Sequence, residues 1–184
     1  MMRDLSMHIL DIVQNSIKAE AHKIEIEVEE NTNTNRLCIC IKDNGGGMSK
    51  EMVETVRNPF TTTRTTRKVG LGIPMLEQTC LQCGGQLLLE SELGVGTVIK
   101  AEMEHNNIDR PPLGDIISSI FILIITNQDM GFLYKHTYND DEFVLDMDEI
   151  REILGDVPLD TPDVSSWLKE HIAEGVNSLY QEEQ

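Results

Sequence analysis

The stretch Asp43-Asn44-Gly45-Gly46-Gly47 decides how this chain folds, because it places three consecutive glycines directly after a run that is typical of a strand. Two further glycine clusters follow, Gly70-Leu71-Gly72 and Gly94-Val95-Gly96-Thr97. Glycine allows the backbone to approach a ligand closely and to take positive φ angles. The three clusters together predict one enclosed small-molecule site.

A helix is predicted over residues 6–19, where apolar side chains recur with helical spacing. Asp11 and Asn15 lie one turn apart and therefore on one face. The amide oxygen of Asn15 suits Mg²⁺, and Asp11 would act as a general base that orients a water. His8 shares this face, where it either tunes these groups or is a partly exposed helix histidine. Any solvated helix face shows a similar polar stripe.

Asp43 ends a predicted strand and enters the first glycine turn. An ionised carboxylate only accepts hydrogen bonds, so Asp43 could take them from an exocyclic amine held against the turn. Adenine offers such an amine, whereas guanine presents its groups differently. The alternative is that the stretch is merely a turn, which asparagine and glycine also favour.

The segment 58–69 contains five threonines and the cations Arg64, Arg67 and Lys68. It leads into Gly70-Leu71-Gly72 and then directly into a predicted helix. Backbone N–H groups and the helix dipole at such an N-terminus form an anion site, so phosphates would fit there and the cations would close over them. A flexible, solvated loop is the alternative, although it does not explain the glycines beside the helix.

The order of elements predicts an α+β fold, a two-layer sandwich in which helices cover one face of a mixed sheet. A linker is expected over residues 105–112, and a small α+β extension after it. The predicted strands span residues 23–30, 36–42, 86–91, 97–104, 132–138 and 142–146, and the helices span 6–19, 50–57, 73–83, 113–127, 147–154 and 163–180.

The charge of −17 is unevenly distributed along the chain. Residues 1–105 hold 11 Lys/Arg and 15 Asp/Glu, whereas residues 106–184 hold 4 and 17. Such an acidic second part argues against nucleic-acid binding. The longest apolar run, residues 116–126, is about half of the ~20 residues that a membrane span needs. We therefore expect a cytoplasmic protein that binds neither nucleic acid nor membrane.

Four cysteines, Cys38, Cys40, Cys80 and Cys83, lie in the first part of the chain. A four-thiolate metal site is one interpretation of this pattern. A redox pair formed by Cys80 and Cys83 is a second. Burial of reduced cysteines as small apolar side chains is the third, and the apolar neighbours of each cysteine favour it.

Four motifs, in order along the chain, resemble the GHKL superfamily of gyrase, heat-shock chaperone, histidine kinase and mismatch-repair ATPases. "HILDIVQNSIKAEAHKIEIEVE" is similar to its N box, and "IKDNGGGM" to its first glycine box. "NPFTTTRTTRKVGLGIPM" resembles the F box, lid and second glycine box of histidine kinases, and "GVGTVIKAEM" the third glycine box. The resemblance covers roughly residues 5–104 and implies the Bergerat ATP-binding fold.

The resemblance implies a role for each matching residue. It assigns Asn15 to Mg²⁺, Asp43 to adenine, and Asp11 to the place where gyrase-like members keep a glutamate base. The other residues that it implies in nucleotide binding form the glycine turn, the wall of the base pocket, the phosphate lid with its hinges, and the support of Asp43: Gly45, Gly47, Met48, Phe60, Thr62, Arg64, Lys68, Gly70, Leu71, Gly72 and Thr97.

The expected organisation is a GHKL-type ATP-binding domain over residues 1–105 and an acidic α+β extension over residues 106–184. Its cofactors would be ATP and Mg²⁺, with γ-phosphoryl transfer to a partner protein or slow hydrolysis of ATP. The strand that often precedes the N-box helix is expected to be reduced or absent. No domain with a phospho-acceptor histidine precedes it, so we do not expect a sensor kinase acting alone.

Two other functions agree with the same residues. One is a non-catalytic, ATP-gated binding module that works as an anti-sigma-factor-like switch. The other is a regulator that responds to thiol oxidation through Cys80 and Cys83. A homodimer is compatible with each of these functions.

Overall fold

The computed structural model of the chain describes residues 2–57 and 71–181. The strands are β1 (Lys23–Asn31), β2 (Arg36–Asp43), β3 (Gln86–Glu92), β4 (Gly96–Glu104), β5 (Gly131–Tyr138) and β6 (Asp141–Asp146). The helices are α1 (Leu5–Lys18), α2 (Lys50–Arg57), α3 (Gly72–Gln82), α4 (Ile116–Thr126), α5 (Met147–Leu154) and α6 (Pro162–Ser178).

The strands form one mixed sheet in the order β3-β4-β2-β1-β5-β6. β1 and β5 run parallel, and the other neighbouring strands run antiparallel. Along β1, buried Ile24, Ile26 and Val28 alternate with glutamates. Because side chains alternate between the faces of a strand, this pattern gives the sheet one apolar face and one polar face.

The helices pack on the apolar face, which we call the inner face. α1 contributes buried Leu5, Ile9, Ile12 and Val13 to the shared core. The side chains of the opposite, outer face include exposed Leu88 and Val144. The α+β prediction, with a mixed sheet covered by helices on one face, is confirmed.

Two helix starts differ from the sequence prediction because aspartates cap them. Asp4 is the N-cap of α1, and its Oδ1 accepts hydrogen bonds from the Met7 N–H at 3.0 Å and the Ser6 hydroxyl at 2.7 Å. Asp115 caps α4 through the Ser118 N–H at 3.0 Å, so this helix begins three residues later than predicted. A side-chain oxygen at the N-cap satisfies donors that the helix itself leaves free.

The second part of the chain extends the sheet of the first part. β5 pairs with β1 along its whole length. In addition, the backbone N–H groups of Leu5 and Ser6 donate to the carbonyls of Pro112 and Leu113, each at 2.9 Å. The boundary predicted at residue 105 thus falls between strands of one sheet, and β5 covers an edge of β1 that would otherwise be open.

A buried carboxylate, Glu30, cross-links these parts at one end of the sheet. Its side chain accepts hydrogen bonds from His136 at 2.9 Å, from His105 at 3.0 Å and from the Tyr180 hydroxyl. The other ring nitrogen of His136 lies 2.8 Å from the Tyr134 hydroxyl. Burial by itself would raise the pKa of Glu30, but the hydrogen bonds outweigh burial and lower it to about 2.

We predict that Glu30→Gln lowers the free energy of unfolding at pH 7 by about 1–3 kcal/mol, because buried donors would lose a charged acceptor. The contribution of Glu30 is present above its ordinary pKa of 4.5 and is lost as the pH falls toward about 2. Urea unfolding at pH 7 and at several pH values below 4.5 measures both effects.

The matched control is Glu142→Gln, which removes a half-exposed ion pair with Lys135 at 2.7 Å. Exposed pairs contribute less than about 1 kcal/mol. Equal losses in the two variants, or an unaltered acid dependence in Glu30→Gln, would contradict the role that we assign to Glu30.

Candidate functional site

Two glycine turns lie against each other at one end of the sheet. The Gly94 N–H donates to the Gly46 carbonyl at 2.7 Å. Gly47 has a φ of 65°, and a Cβ there would lie 1.9 Å from the Glu92 carbonyl oxygen. A Cβ on Gly96 would lie 2.0 Å from the Asp43 carbonyl oxygen. These glycines therefore allow two backbone segments to pack together. From the sequence we expected them to let the backbone approach a ligand instead.

The same first turn also packs against the end of α1. The Gly46 N–H donates to the Ala19 carbonyl at 2.8 Å. A Cβ on Gly45 would lie 2.8 Å from that same oxygen. The turn is thus fixed between the end of α1 and the β3–β4 hairpin.

Asp43 is held at the end of β2 by two hydrogen bonds. Its Oδ2 accepts from the Ser16 hydroxyl at 2.5 Å, and its Oδ1 accepts from the Gly45 N–H at 2.9 Å. Ser16 is only 3% exposed and belongs to α1. Each carboxylate oxygen has two lone pairs, so the half-buried carboxylate keeps acceptor capacity for a ligand.

Sequence reasoning missed Ser16, although it stands directly after Asn15. The Ser16 hydroxyl donates a hydrogen bond to Asp43. The family resemblance had implied Thr97 as the residue that supports Asp43. Thr97 pairs with Asp43 in the strand register, and its hydroxyl lies 2.8 Å from that of Ser91. Ser91 in turn accepts the Met48 N–H at 2.8 Å. Thr97 and Met48 therefore border the turn, and their contact with a nucleotide stays a prediction.

Asp11, Asn15 and His8 share one face of α1, and each carries a buried polar atom that has no hydrogen-bond partner within residues 2–57 and 71–181. These atoms are Asp11 Oδ2, Asn15 Nδ2 and His8 Nδ1. His8 is 3% exposed, so it is not the partly exposed histidine of one sequence interpretation. Buried polar atoms are normally paired, so three unpaired ones on a single helix face make this face the candidate for polar contacts with a ligand.

The N-terminus of α3 lies against Asp11. A Cβ on Gly72 would lie 1.7 Å from Asp11 Oδ2, so only glycine permits this approach of α1 and α3. Leu71 precedes α3 and is 57% exposed, and no side chain of the described residues caps this helix. The first N–H groups of α3 and its dipole therefore favour an anion beside Asp11.

The residues of this face fit a magnesium ion that keeps most of its ligands outside the protein. The described parts of the chain contain no group of three or more His, Cys, Asp or Glu side chains arranged for a metal. Mg²⁺ commonly binds through one or two protein oxygens together with water and phosphates. The amide oxygen of Asn15, on the same face of α1 as Asp11, would supply the protein ligand.

Several residues predicted to bind the nucleotide lie outside the described residues. They are Phe60, Thr62, Arg64, Lys68 and Gly70. Their roles, and that of Arg67 in the same segment, stay predictions from the sequence.

A groove of about 480 Å³ reaches Asp43 and Thr97 from the outer face. Its wall includes Lys42, Glu90 and Val98 of neighbouring strands. These side chains point away from α1, because they alternate with the buried positions of their strands. The groove is therefore on the opposite side of the sheet from Asp11 and Asn15.

The four cysteines are free, and each pair occupies a different side of the sheet. Cys38 and Cys40 belong to the outer face of β2, whereas Cys80 and Cys83 are buried at the end of α3. A four-thiolate metal site is thereby excluded for these residues. Burial raises the pKa of Cys38 to about 11 and that of Cys80 to about 12, which leaves little reactive thiolate.

Comparison with known proteins decides the family. Residues 3–107 match the family of histidine kinase-, DNA gyrase B-, and HSP90-like ATPases. The chain belongs to this family. The matched residues include α1, the turn at Asp43 and the β3–β4 hairpin, which together form the candidate site.

Two curated relatives are kinases. The chain is 28% identical over 104 residues to sensor kinase CckA of Brucella abortus (strain 2308), covering 48% of this chain and 11% of that protein. It is 35% identical over 60 residues to sporulation kinase C of Bacillus subtilis (strain 168), covering 33% of this chain and 14% of that protein. The chain thus corresponds to a small part of each relative.

A solved structure shares the fold over a longer stretch. The Aquifex aeolicus MutL ATPase domain, complexed with ADP, aligns with a TM-score of 0.51 and 17% identity. The alignment covers 84% of this chain and 70% of that chain. The alignment covers more of this chain than residues 3–107 make up, so the similarity in fold includes residues beyond 107. Separately, no helix within residues 2–57 and 71–181 is both long and apolar enough to cross a membrane.

We predict that Gly47→Ala destabilises the chain far more than Gly94→Ala. Both glycines have positive φ, which costs an alanine about 1–2 kcal/mol. At Gly47 the new methyl would also collide with the Glu92 carbonyl, whereas nothing lies within 4 Å of a Cβ on Gly94. The collision should add about 1–3 kcal/mol, which thermal unfolding measures. Equal destabilisation of the two variants would rule out the packing that we describe for the turns.

Proposed function

We propose that this chain binds ATP with Mg²⁺ and transfers the γ-phosphoryl group, either to a partner protein or slowly to water. The observation that carries this proposal is the arrangement of α1. This one helix presents Ser16 to the carboxylate of Asp43 and brings Asp11 Oδ2 against Gly72 at the start of α3. Asn15 lies one turn from Asp11 on the same face of the helix.

Asp43 would recognise the base. Its carboxylate is fixed by Ser16 and Gly45, so its free lone pairs have a defined direction. An acceptor-only group selects adenine, which offers an exocyclic amine, over a base that offers a carbonyl at the same place. Met48, which packs partly buried beside the core, would contribute an apolar wall to the pocket.

The phosphates would lie between α1 and α3. The N-terminal N–H groups of α3 favour an anion there, and the sequence supplies cations in the preceding segment. Mg²⁺, when bound, would neutralise charge that develops on the phosphoryl oxygens. Asn15 would hold that ion through its amide oxygen.

Asp11 would act as the general base. Its Oδ2 is buried, unpaired and in contact with Gly72 at the start of α3. It would accept the proton of the attacking hydroxyl as the new bond to the γ-phosphorus forms and the bond from that phosphorus to the β–γ bridging oxygen breaks, which releases ADP. An aspartate reaches less far than a glutamate, which supports slow turnover. The kinase names of the two curated relatives support transfer of the phosphoryl group to an acceptor over its transfer to water.

An ATP-gated regulatory module is the second candidate. It is favoured by the contacts of α1 with the second part of the chain, where Leu5 and Ser6 bind the backbone of Pro112 and Leu113. A nucleotide-dependent shift of α1 would therefore reach α4 directly. The buried thiols make a redox regulator a weaker candidate than either of these.

Incubation of the chain with γ-labelled ATP, Mg²⁺ and cell extract distinguishes the two candidates. Label on a second protein, or release of labelled phosphate, supports phosphoryl transfer. Tight ATP binding without either product supports the regulatory module.

We predict that Asp43→Ala weakens binding of ATP by about 10- to 100-fold, because a charge-assisted hydrogen bond contributes about 1.5–3 kcal/mol. Thermal stabilisation of the folded chain by ATP measures this loss. Glu90→Ala is the control, since Glu90 borders the outer groove beside Asp43. If Asp43→Ala keeps the full nucleotide-dependent stabilisation, the assignment of the base site is wrong.

A separate prediction concerns the ion. Asn15→Ala should reduce the gain in ATP affinity that Mg²⁺ produces, while binding of ATP without Mg²⁺ changes little. Isothermal titration of both proteins with ATP, with and without Mg²⁺, gives the comparison. The same dependence on Mg²⁺ in variant and wild type would remove Asn15 from the ion site.

A further inference from the structure

The strand β6 forms one edge of the sheet, and this edge is open. β6 is the last strand in the sheet order and pairs with β5. At the opposite edge, the Arg57 guanidinium of α2 donates to the Leu87 carbonyl of β3 at 3.2 Å. Within residues 2–57 and 71–181, no backbone group beyond β5 bonds to the backbone of β6. An open strand edge is a template for pairing with another chain.

The backbone groups at this open edge belong to alternate residues of β6. The Gly131 N–H of β5 donates to the His22 carbonyl beside β1 at 2.8 Å, so the odd-numbered residues of β5 face β1. The even-numbered residues of β5 therefore face β6, where they pair with residues 141, 143 and 145. The residues whose N–H and C=O groups point away from β5 are Glu142, Val144 and Asp146.

An exposed tryptophan lies beside the same edge. Trp167 of α6 is 46% exposed, and its ring stacks on that of His171 with the centroids 5.1 Å apart. The His171 ring contacts Phe143 of β6 edge-on at 5.7 Å. Phe143 belongs to the inner face, so a strand added to β6 brings its own inner side chains toward Trp167. Tryptophan is among the residues that contribute most to binding at protein interfaces.

The surface around Trp167 is negatively charged. Three exposed carboxylates of α6 recur with helical spacing and so share a stripe with Trp167: Asp163, Glu170 and Glu174. Lys169 lies outside this stripe, and its Nζ is 5.7 Å from the centroid of the Phe121 ring of α4. The stripe therefore favours a positively charged partner.

The other cations of residues 106–184 also contact groups away from this stripe. Arg110 donates to the His105 carbonyl, Arg151 donates to the Met130 carbonyl at 2.6 Å, and Lys135 pairs with Glu142 at 2.7 Å. A second copy of the chain is disfavoured as the occupant of the edge. Antiparallel pairing of β6 with β6 would bring the carboxylates of both strands together, and like charges on opposing strands are destabilising.

We propose that the open edge of β6 is a docking site for an extended, basic segment of a partner protein, which adds to the sheet as a further strand. Its backbone bonds to Glu142, Val144 and Asp146, and its inner side chains pack against Trp167. Main-chain hydrogen bonds supply affinity in this mode, and alternate side chains supply specificity. The inference goes beyond the proposed function and does not depend on it, because no nucleotide takes part.

A synthetic peptide of alternating lysine and valine, with both ends blocked, serves as the probe. Trp167 is the one tryptophan of the chain, so its fluorescence reports directly on this surface. Binding should move the emission to shorter wavelength, and a peptide with glutamates in place of the lysines should bind at least about tenfold more weakly. No change of emission at up to about 1 mM of the lysine peptide would overturn the inference.

Methylation of the peptide's backbone nitrogens tests whether the peptide binds as a strand. Successive N–H groups of a strand point to opposite sides, so one alternate set faces β6 and the other faces solvent. Two peptides are compared, one methylated at the lysine nitrogens and one at the valine nitrogens. One should lose affinity by about tenfold or more, and the other should bind like the parent peptide. Equal affinities of the two would contradict strand addition.

Variants of the chain locate the site. Val144→Pro removes an N–H from the open edge and leaves the pairing with β5 intact, so it should weaken binding about tenfold. Glu170→Lys combined with Glu174→Lys should weaken binding as well. The control, Glu51→Lys with Glu54→Lys on exposed positions of α2, makes the same change of charge and should bind like the wild type. Thermal unfolding verifies that each variant is folded.

The remaining outcomes contradict the inference. Equal weakening in the α2 and α6 variants would mean that the peptide responds to net charge alone. Sedimentation of the chain without peptide tests the second copy as the occupant. Self-association that Val144→Pro abolishes would assign the edge to a dimer instead of a basic partner.

Discussion

The hydrogen bond between Ser16 and Asp43 is the interaction on which the site depends. It joins α1, which packs on the inner face of the sheet, to the last residue of β2. It therefore fixes the distance between the carboxylate of Asp43 and the polar face of α1. This bond also sets the positions of Asp11 and Asn15, because they belong to the same rigid helix as Ser16. The bond from Gly46 to Ala19 secures the same helix at its C-terminal end.

The main role of the glycines is to allow close packing of main-chain segments. Gly47 and Gly96 exclude a side chain because each faces a carbonyl of the opposing turn, and Gly72 excludes one because it faces Asp11. Among the described residues, the geometry of the candidate site is thus produced by close packing of two turns and two helices. In the proposed site this packing would hold the binding groups in place before the nucleotide arrives, which reduces the free energy spent on ordering them.

Much of the secondary structure could be predicted from the sequence, because strand alternation and helical spacing are local signals. The pairing of β5 with β1 could not, since it joins segments about a hundred residues apart and a parallel pair leaves no turn motif between its strands. Asp43, Asn15 and Asp11 were predicted from the sequence as site residues, and their contact with a nucleotide stays a prediction. Ser16 was missed because a serine inside a helix resembles any surface residue, and the burial of His8 depends on α1 packing that sequence alone does not reveal.

The central claim is that nucleotide binds on the α1 side of the sheet end, between Asp43 and the start of α3. Titration of ¹⁵N-labelled chain with ADP and Mg²⁺, followed by nuclear magnetic resonance, tests it most directly. The account predicts that the largest shifts occur at the backbone amide of Gly45, at Ser16 and at the side-chain amide of Asn15. Largest shifts at Lys42 and Glu90 on the outer groove, or no shifts at saturating ADP, would contradict it.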